Sequence, residues 1–401
     1  MWQYCPHCRP TKRKNHWFLY LSYYFEKVFL CVYFFLKKFF LFSYIEKIAS
    51  SNKTNEILFS VFNFLRISDF ETEINQKYFF NRTLIFWKEA KRRSLRISNI
   101  TLFDKHTDLF RLKYNNEVFY FQTYPLDYFE DQIEKNSKKQ TKVLLEKNNI
   151  PVPKWWVYTN RKQVFNDFWR KFNFPLIVKP NTWSLSHHIT TNIVNKKQLE
   201  QGIKIAKQYR PDFIVEEYLE WDFFRVTVIA QKHLFVCKKD QANIIWDWKS
   251  TIKELINKKN KHHQRWEIDE ISTTLHQIEI NKYLINNLKK QNLNLESVPD
   301  QNEKVYLHNK LILTQWCDII DKTIETHPDN VNLFKKISQI LTYPIIWIDF
   351  IALDIQQSWK NQKCWVLEVN NFPYMDMHRH PTHWESHTVE KYVWDEFFQK
   401  L

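Results

Sequence analysis

The chain has 401 residues, 44% of them hydrophobic and 26% charged, with a formal net charge of +15. Such a length buries a large core and suggests about two or three domains or lobes, and the proportions are those of a folded chain, not a disordered one. Two counts stand apart: there are 17 Trp, and 1 Gly where ordinary usage would supply roughly 28.

Lys and Arg are spread along the chain, often beside Asn, which reads as a solvated basic surface with room for a phosphate site. No specific nucleic-acid face is expected. Cys5 and Cys8 form a Cys-x-x-Cys without the second pair that a four-thiolate zinc site needs. Zinc, redox chemistry and two plain thiols all stay open there. Cys31, Cys237, Cys317 and Cys364 are expected to be reduced and mostly buried, as in a cytoplasmic protein.

Residues 1–16 are polar and basic, and residues 17–45 are strongly aromatic. Glu26-Lys27 and Lys37-Lys38 cut the apolar run to Val28–Leu36, well short of the roughly 20 residues that span a bilayer. A signal peptide is not indicated, for want of a small-residue cleavage site. One or two amphipathic helices packed on the body are expected. A helix lying on a membrane surface, giving residues 17–45 a weak lipid contact, is the alternative.

Residues 46–130 mix short patterns, with Arg82–Ala90 reading as a helix and Glu117–Phe121 as a strand, and show no catalytic constellation. From Lys138 the signals sharpen. Thr141–Lys147 is a helix ending at Asn148-Asn149, and Ile150-Pro151-Val152-Pro153 forces extended chain. Phe174–Pro180 reads as a buried strand that delivers Lys179 at its end, where an ammonium is costly unless an anion meets it. A Ser-, Thr- and His-rich loop runs from Asn181 to Thr191, and Phe213–Leu219 is the next strand.

Farther on, Ile345–Ala352 is an apolar run with one embedded carboxylate, Asp349. In Trp365-Val366-Leu367-Glu368-Val369-Asn370, Glu368 and Asn370 stand at i and i+2, so a strand sends both to one face. On neighbouring strands, Asp349, Glu368 and Asn370 would offer three hard oxygen ligands, a set suited to Mg²⁺ carrying nucleotide phosphates. A Glu368 on a merely solvated strand face is the competing account. His378, His380, His383 and His387 read as lining for an acidic substrate more than as a zinc site.

Taken together these elements resemble the ATP-grasp ligases. Lys138, 13 residues before Pro151, and Lys179 in Ile177-Val178-Lys179-Pro180 look like the family's two nucleotide lysines. Asn181–His188 stands in the place of the phosphate-covering loop, with Ser184 and Ser186 as its contacts. Glu216, Glu217 and Leu219 resemble the interlobe strand that meets adenine, and Asp349, Glu368 and Asn370 are then the metal ligands. Lys249–Asn260, Arg265, Ser297-Val298-Pro299, Asp318–Asp321 and Thr326-His327-Pro328 are similar to the ATP-grasp part of cyanophycin synthetases. Those enzymes carry a further Mur-ligase-like domain; the sequence stops at Leu401, so that second activity is expected to be missing. One position departs: Phe223 stands where the family usually has an acid for the ribose, and Asp222 would face the other way.

The resemblance implies an α/β (α+β) ATP-grasp fold, two lobes clamping ATP, in residues 136–401, with the small lobe at about 136–215 and the large at about 216–401. A basic aromatic helical segment, 1–50, and a preliminary α/β domain, 51–135, would precede it. It also implies ATP with Mg²⁺ or Mn²⁺, and small-molecule carboxylate and amine substrates of amino-acid or peptide kind. A homo-oligomer is left open. The implied reaction makes an acyl phosphate that an amine converts to an amide. Arg225 and Arg265 are candidates to hold phosphate or the tetrahedral intermediate, with a plain salt bridge as the alternative for each. A kinase that stops at phosphoryl transfer and a catalytically silent nucleotide-binding or membrane-associated scaffold are the rivals.

Trp183, Trp221, Trp246, Trp248, Trp266, Trp316, Trp347 and Trp384 fall where such ligases look rich in glycine. Trp246-Asp247-Trp248 stands at an expected Gly-Asp-Gly turn, where glycine reaches φ > 0 cheaply. The simplest account is a gene from a lineage that reads UGA as glycine, translated here with tryptophan. A genuinely Trp-rich protein with a blocked site is the alternative.

Overall fold

The computed structural model describes residues 16–36, 51–126, 138–181, 188–245, 247–266, 273–298, 304–308, 316–383 and 385–401. Cys5, Cys8, Ser184, Ser186, Trp183, Trp246 and Trp384 lie outside the described residues. The fold is α/β with antiparallel sheets, as expected, and the chain divides into two compact units. The first comprises Met1–Ala49, Asp131–Trp221 and Cys364–Val369; the second comprises Ser50–Glu130, Asp222–Lys363 and Asn370–Leu401.

In the first unit the strands Trp155–Tyr158, Phe213–Glu217, Leu176–Pro180 and Thr190–Ile193 form one sheet in that spatial order. Leu176, Val178, Phe213 and Val215 point to one face by the strand period and pack under Val164, Phe168, Leu199, Ile203 and Ala206 of two covering helices. Those helices are Arg161–Lys171 and Lys196–Tyr209. Gly202, the sole glycine, sits where the second helix crosses the strand Thr190–Ile193; a Cβ there would stand 3.1 Å from Ile193 Cδ1. On that helix rests the amphipathic helix His16–Leu36, through buried Tyr23, a 3.1 Å ion pair of Glu26 with Arg210, and the Tyr20 hydroxyl donating to the Lys207 carbonyl. Phe25, Val28, Phe29 and Val32 are exposed. Among the described residues no helix is long and apolar enough to cross a membrane.

The second unit opens with an antiparallel sheet in sequence order, Ser68–Glu71, Arg96–Leu102, Lys105–Tyr114 and Glu117–Gln122. The helix Asn81–Arg92, foreseen over 82–90, buries Leu84, Phe86 and Ala90 against it. The C-terminal helix Val389–Gln399 joins the same core: Trp394 is fully buried and donates to the Phe86 carbonyl at 3.2 Å. That core also takes in Ile229, Phe235 and Ile345, so residues 51–126 share it with the later strands. Asp318–Asp321, His233–Asp240, Asp222–Ile229 and Ile345–Ala352 lie side by side, all antiparallel, in a register that sets Asp349 opposite Arg225. Cys237, Cys317 and Cys364 are buried thiols as expected; Cys31 is exposed instead, because its helix turns that face away from the body.

Candidate active site

The helix Lys138–Lys147 starts a turn earlier than the sequence pattern suggests, which puts Lys138 and Lys142 four residues apart on one face. Ile177 and Lys179 leave the opposite side of their strand from Val178, away from the apolar core, and Glu216 pairs with Ile177 in register. Lys179 and Glu216 thereby meet on one face of the sheet.

The result is a charge cluster. Lys179 Nζ is 3.1 Å from Glu216 Oε2, and Lys142 Nζ is also 3.1 Å from that oxygen. Lys138 Nζ is 3.1 Å from Glu368 Oε2. Lys142 and Glu216 are each 2% exposed. Burial alone would raise the Glu216 carboxyl, yet Lys142 and Lys179 hold it below its ordinary value. Burial pulls Lys142 down to about 8, against the attraction of Glu216 and with the repulsion of Lys179. Among the described residues, three ammonium groups thus face two carboxylates, a surplus of positive charge that suits a polyphosphate anion.

Glu217 faces elsewhere: its Oε2 accepts from the Lys154 backbone N–H at 3.2 Å, fastening the adjoining strand. Leu219 is half-buried just beyond the strand end. Trp221, two residues on, stacks on Trp365 with ring centroids 4.8 Å apart.

Within the second unit Arg225 Nε is 2.5 Å from Asp349 Oδ1, and its guanidinium lies 3.7 Å from the Trp347 ring centre. Asn370 is buried. Arg265 is wholly enclosed and donates to Asp318 Oδ1 at 2.6 Å and to the His276 carbonyl at 2.7 Å; Lys259 closes on the same Asp318 carboxylate. Burial lowers both Arg265 and Lys259, and Asp318 opposes that shift. Arg265 therefore sits as the centre of a buried salt bridge. At Phe223 the ring lies 6.0 Å from the Arg225 guanidinium and 5.5 Å from Lys239 Nζ.

Two of the four histidines, His378 and His387, make polar side-chain contacts. His378 is fully buried with Nε2 at 2.8 Å from Thr227 Oγ1, and His387 Nε2 is 3.0 Å from Asp321 Oδ1. Among the described residues no three His, Cys, Asp or Glu side chains gather as a metal cluster. Sequence reasoning overlooked Lys142, although its spacing of four from Lys138 carried the signal.

Comparison with known proteins completes the picture. Residues 144–284 match the family model described as the D-ala D-ala ligase C-terminus. A cyanophycin synthetase of Synechocystis sp. is 30% identical over 267 residues, which are 65% of this chain and 30% of that protein. The glutathione biosynthesis bifunctional protein GshAB of Clostridium perfringens is 26% identical over 264 residues, 65% of this chain and 34% of its own. Over these residues the chain is similar to ATP-grasp ligases. Its fold agrees with the crystal structure of a bifunctional glutathione synthetase from Pasteurella multocida, at a TM-score of 0.63 and 24% identity, over 81% of this chain and 44% of that one. The chain spans about a third of the length of the curated relatives it matches.

Proposed function

We propose that the chain is an ATP-dependent carboxylate–amine ligase that forms an amide through an acyl phosphate, acting in the cytoplasm on small amino-acid or peptide-like substrates. The observation that carries this reading is the surplus of buried lysine charge: Lys138, Lys142 and Lys179 against Glu216 and Glu368. In it, Lys138 and Lys179 bind phosphate oxygens, with Ser184 and Ser186 covering them. Glu216, Glu217 and, just past the strand end, Leu219 form the segment that meets adenine. The domain division into 1–50, 51–135 and 136–401 belongs to the same proposal.

The oxygen donors of Asp349, Glu368 and Asn370 suit Mg²⁺ or Mn²⁺, and both carboxylates already meet a cation, Arg225 and Lys138 respectively. Held by these residues, such an ion would supply positive charge against the phosphates. Arg225, propped by Asp349 and Trp347, holds an oxyanion of the phosphoryl group or of the tetrahedral intermediate. A substrate carboxylate oxygen attacks the γ-phosphorus and ADP leaves; the amine nitrogen then attacks the acyl carbon, inorganic phosphate leaves, and the amine loses its proton.

The test is ADP release screened against amino-acid and peptide pairs, with hydroxylamine to trap any acyl phosphate. Release that needs both substrates identifies the ligase; a stable phosphorylated product formed without the amine identifies a kinase. Glu368→Gln should abolish Mg²⁺-dependent turnover with the fold intact, because an isosteric amide cannot balance a dication. Lys179→Met should sharply weaken nucleotide binding with little loss of stability. Unchanged turnover in the first variant would sink the metal assignment, and unchanged affinity in the second would leave Lys179 a structural residue.

A further inference from the structure

Glu216 Oε2 meets two ammonium groups at 3.1 Å each, Lys142 and Lys179, and no described phosphate-binding role needs both. For Lys179 to reach a phosphate it must give up Glu216, and a buried carboxylate deprived of its cation is strongly destabilising. Lys142 is already in contact with the same oxygen. It is 2% exposed, so it stays on Glu216 where a phosphate would draw Lys179 away.

We propose that Lys142 is a positioning residue, which keeps Glu216 neutralised so that Lys179 can exchange that carboxylate for a nucleotide phosphate. The inference rests on the reading of Lys179 as a phosphate ligand. Geometry supports it: Lys142 lies one helical turn beyond Lys138, and the two lysines hold different carboxylates, Glu216 and Glu368. The charged groups that act on Lys142 are Glu216 and Glu368, which favour its ammonium form, and Lys179, which opposes it.

Burial sets when the device works. With Lys142 drawn down to about 8, it is charged at about pH 7 and loses its charge as the pH rises through that value. Above it, Lys179 is the cation left for Glu216, so phosphate binding weakens.

The experiment measures binding of the β,γ-imido analogue of ATP with Mg²⁺ to the full chain by calorimetry, from about pH 7 to about pH 9.5. The parent should lose affinity through about pH 8. Lys142→Arg, charged throughout, should keep its affinity flat across that range. Lys142→Met should bind about tenfold more weakly at about pH 7, the effect of one charge-balancing contact, and lose nothing further on going up. Lys142→Gln, which retains a donor to Glu216, gives the same reading should the Met variant fail to fold, as thermal melts would reveal. Parent-like affinity in the uncharged variants, or an unchanged pH fall in Lys142→Arg, overturns the proposal. Lys179→Met in parallel separates the failures: if it binds as the parent does, the phosphate role of Lys179 falls first; if it alone is weak, only the role of Lys142 falls.

Discussion

Left-handed backbone positions show how a chain with one glycine turns its corners. Asn115 and Asn116, at φ 48° and 62°, join Lys105–Tyr114 to Glu117–Gln122 in a two-residue hairpin that asparagine tolerates. Asn149 and Asn292 do the same just past helix ends. Tryptophan has no such excuse, yet Trp248 stands at φ 77° and Trp316 at φ 67°. Trp248 is 58% exposed in a turn where the Asp247 carboxylate accepts from the Ser250 N–H at 3.0 Å. Trp248→Gly should relieve about 1–2 kcal/mol of strain against about 0.5–1 kcal/mol of added chain entropy, a small net gain seen as a higher Tm. A lower Tm would mean that the indole's contacts outweigh its strain. At Trp316, 3% exposed and edge-on to His308, the cavity left by glycine would cost about 3–5 kcal/mol and reverse the sign. Codons speak to origin: TGA at all eight glycine-like positions would support recoding, and TGG at all eight would exclude it.

At the scale of elements, the helix Ile252–Asn260 carries its own start signal. Thr251 Oγ1 accepts from the Glu254 N–H at 3.3 Å, and Glu254 Oε2 accepts from the Thr251 N–H at 2.8 Å. With Lys258 and Lys259 in the last turn, charge and caps both suit the helix dipole. Its buried Ile252, Leu255 and Ile256 anchor a cluster with Leu284 and Leu288. Thr251→Ala should cost about 1 kcal/mol in denaturant unfolding, and a loss near zero would show that packing alone sets this end. Elements of this kind were legible because caps, prolines and strand alternation act over a few residues. The start of the helix Lys138–Lys147 was less so, since its first turn is held by what its lysines meet, not by apolar spacing.

For the whole molecule, acid should find the second unit through His378. Burial, then His387 and Arg225, push its imidazole down to about 3, so the folded chain keeps it neutral on Thr227. The unfolded chain takes up that proton near the ordinary value of about 6.5, hence stability is full above that pH and falls as acid is added towards about 3. His378→Gln should flatten that part of the profile in unfolding experiments between about pH 6.5 and pH 4; parallel slopes would refute the assignment.

By itself the sequence determined the order of parts: the lysine before the Ile-Pro-Val-Pro turn, the strand ending in Lys179, the carboxylates of Asp349 and Glu368 on short apolar strands. Each follows from local rules of strand period and proline geometry. Only the tertiary structure decided which charges meet. Lys179 finds Glu216 across 37 positions, Arg265 finds Asp318 across 53, and Arg225 finds Asp349 across 124. The same holds for the core that joins residues 51–126 to the C-terminal helix. Strand register and burial settle those partners, and no local period encodes either, because an ion pair inside a protein is chosen by what the surrounding core leaves within reach.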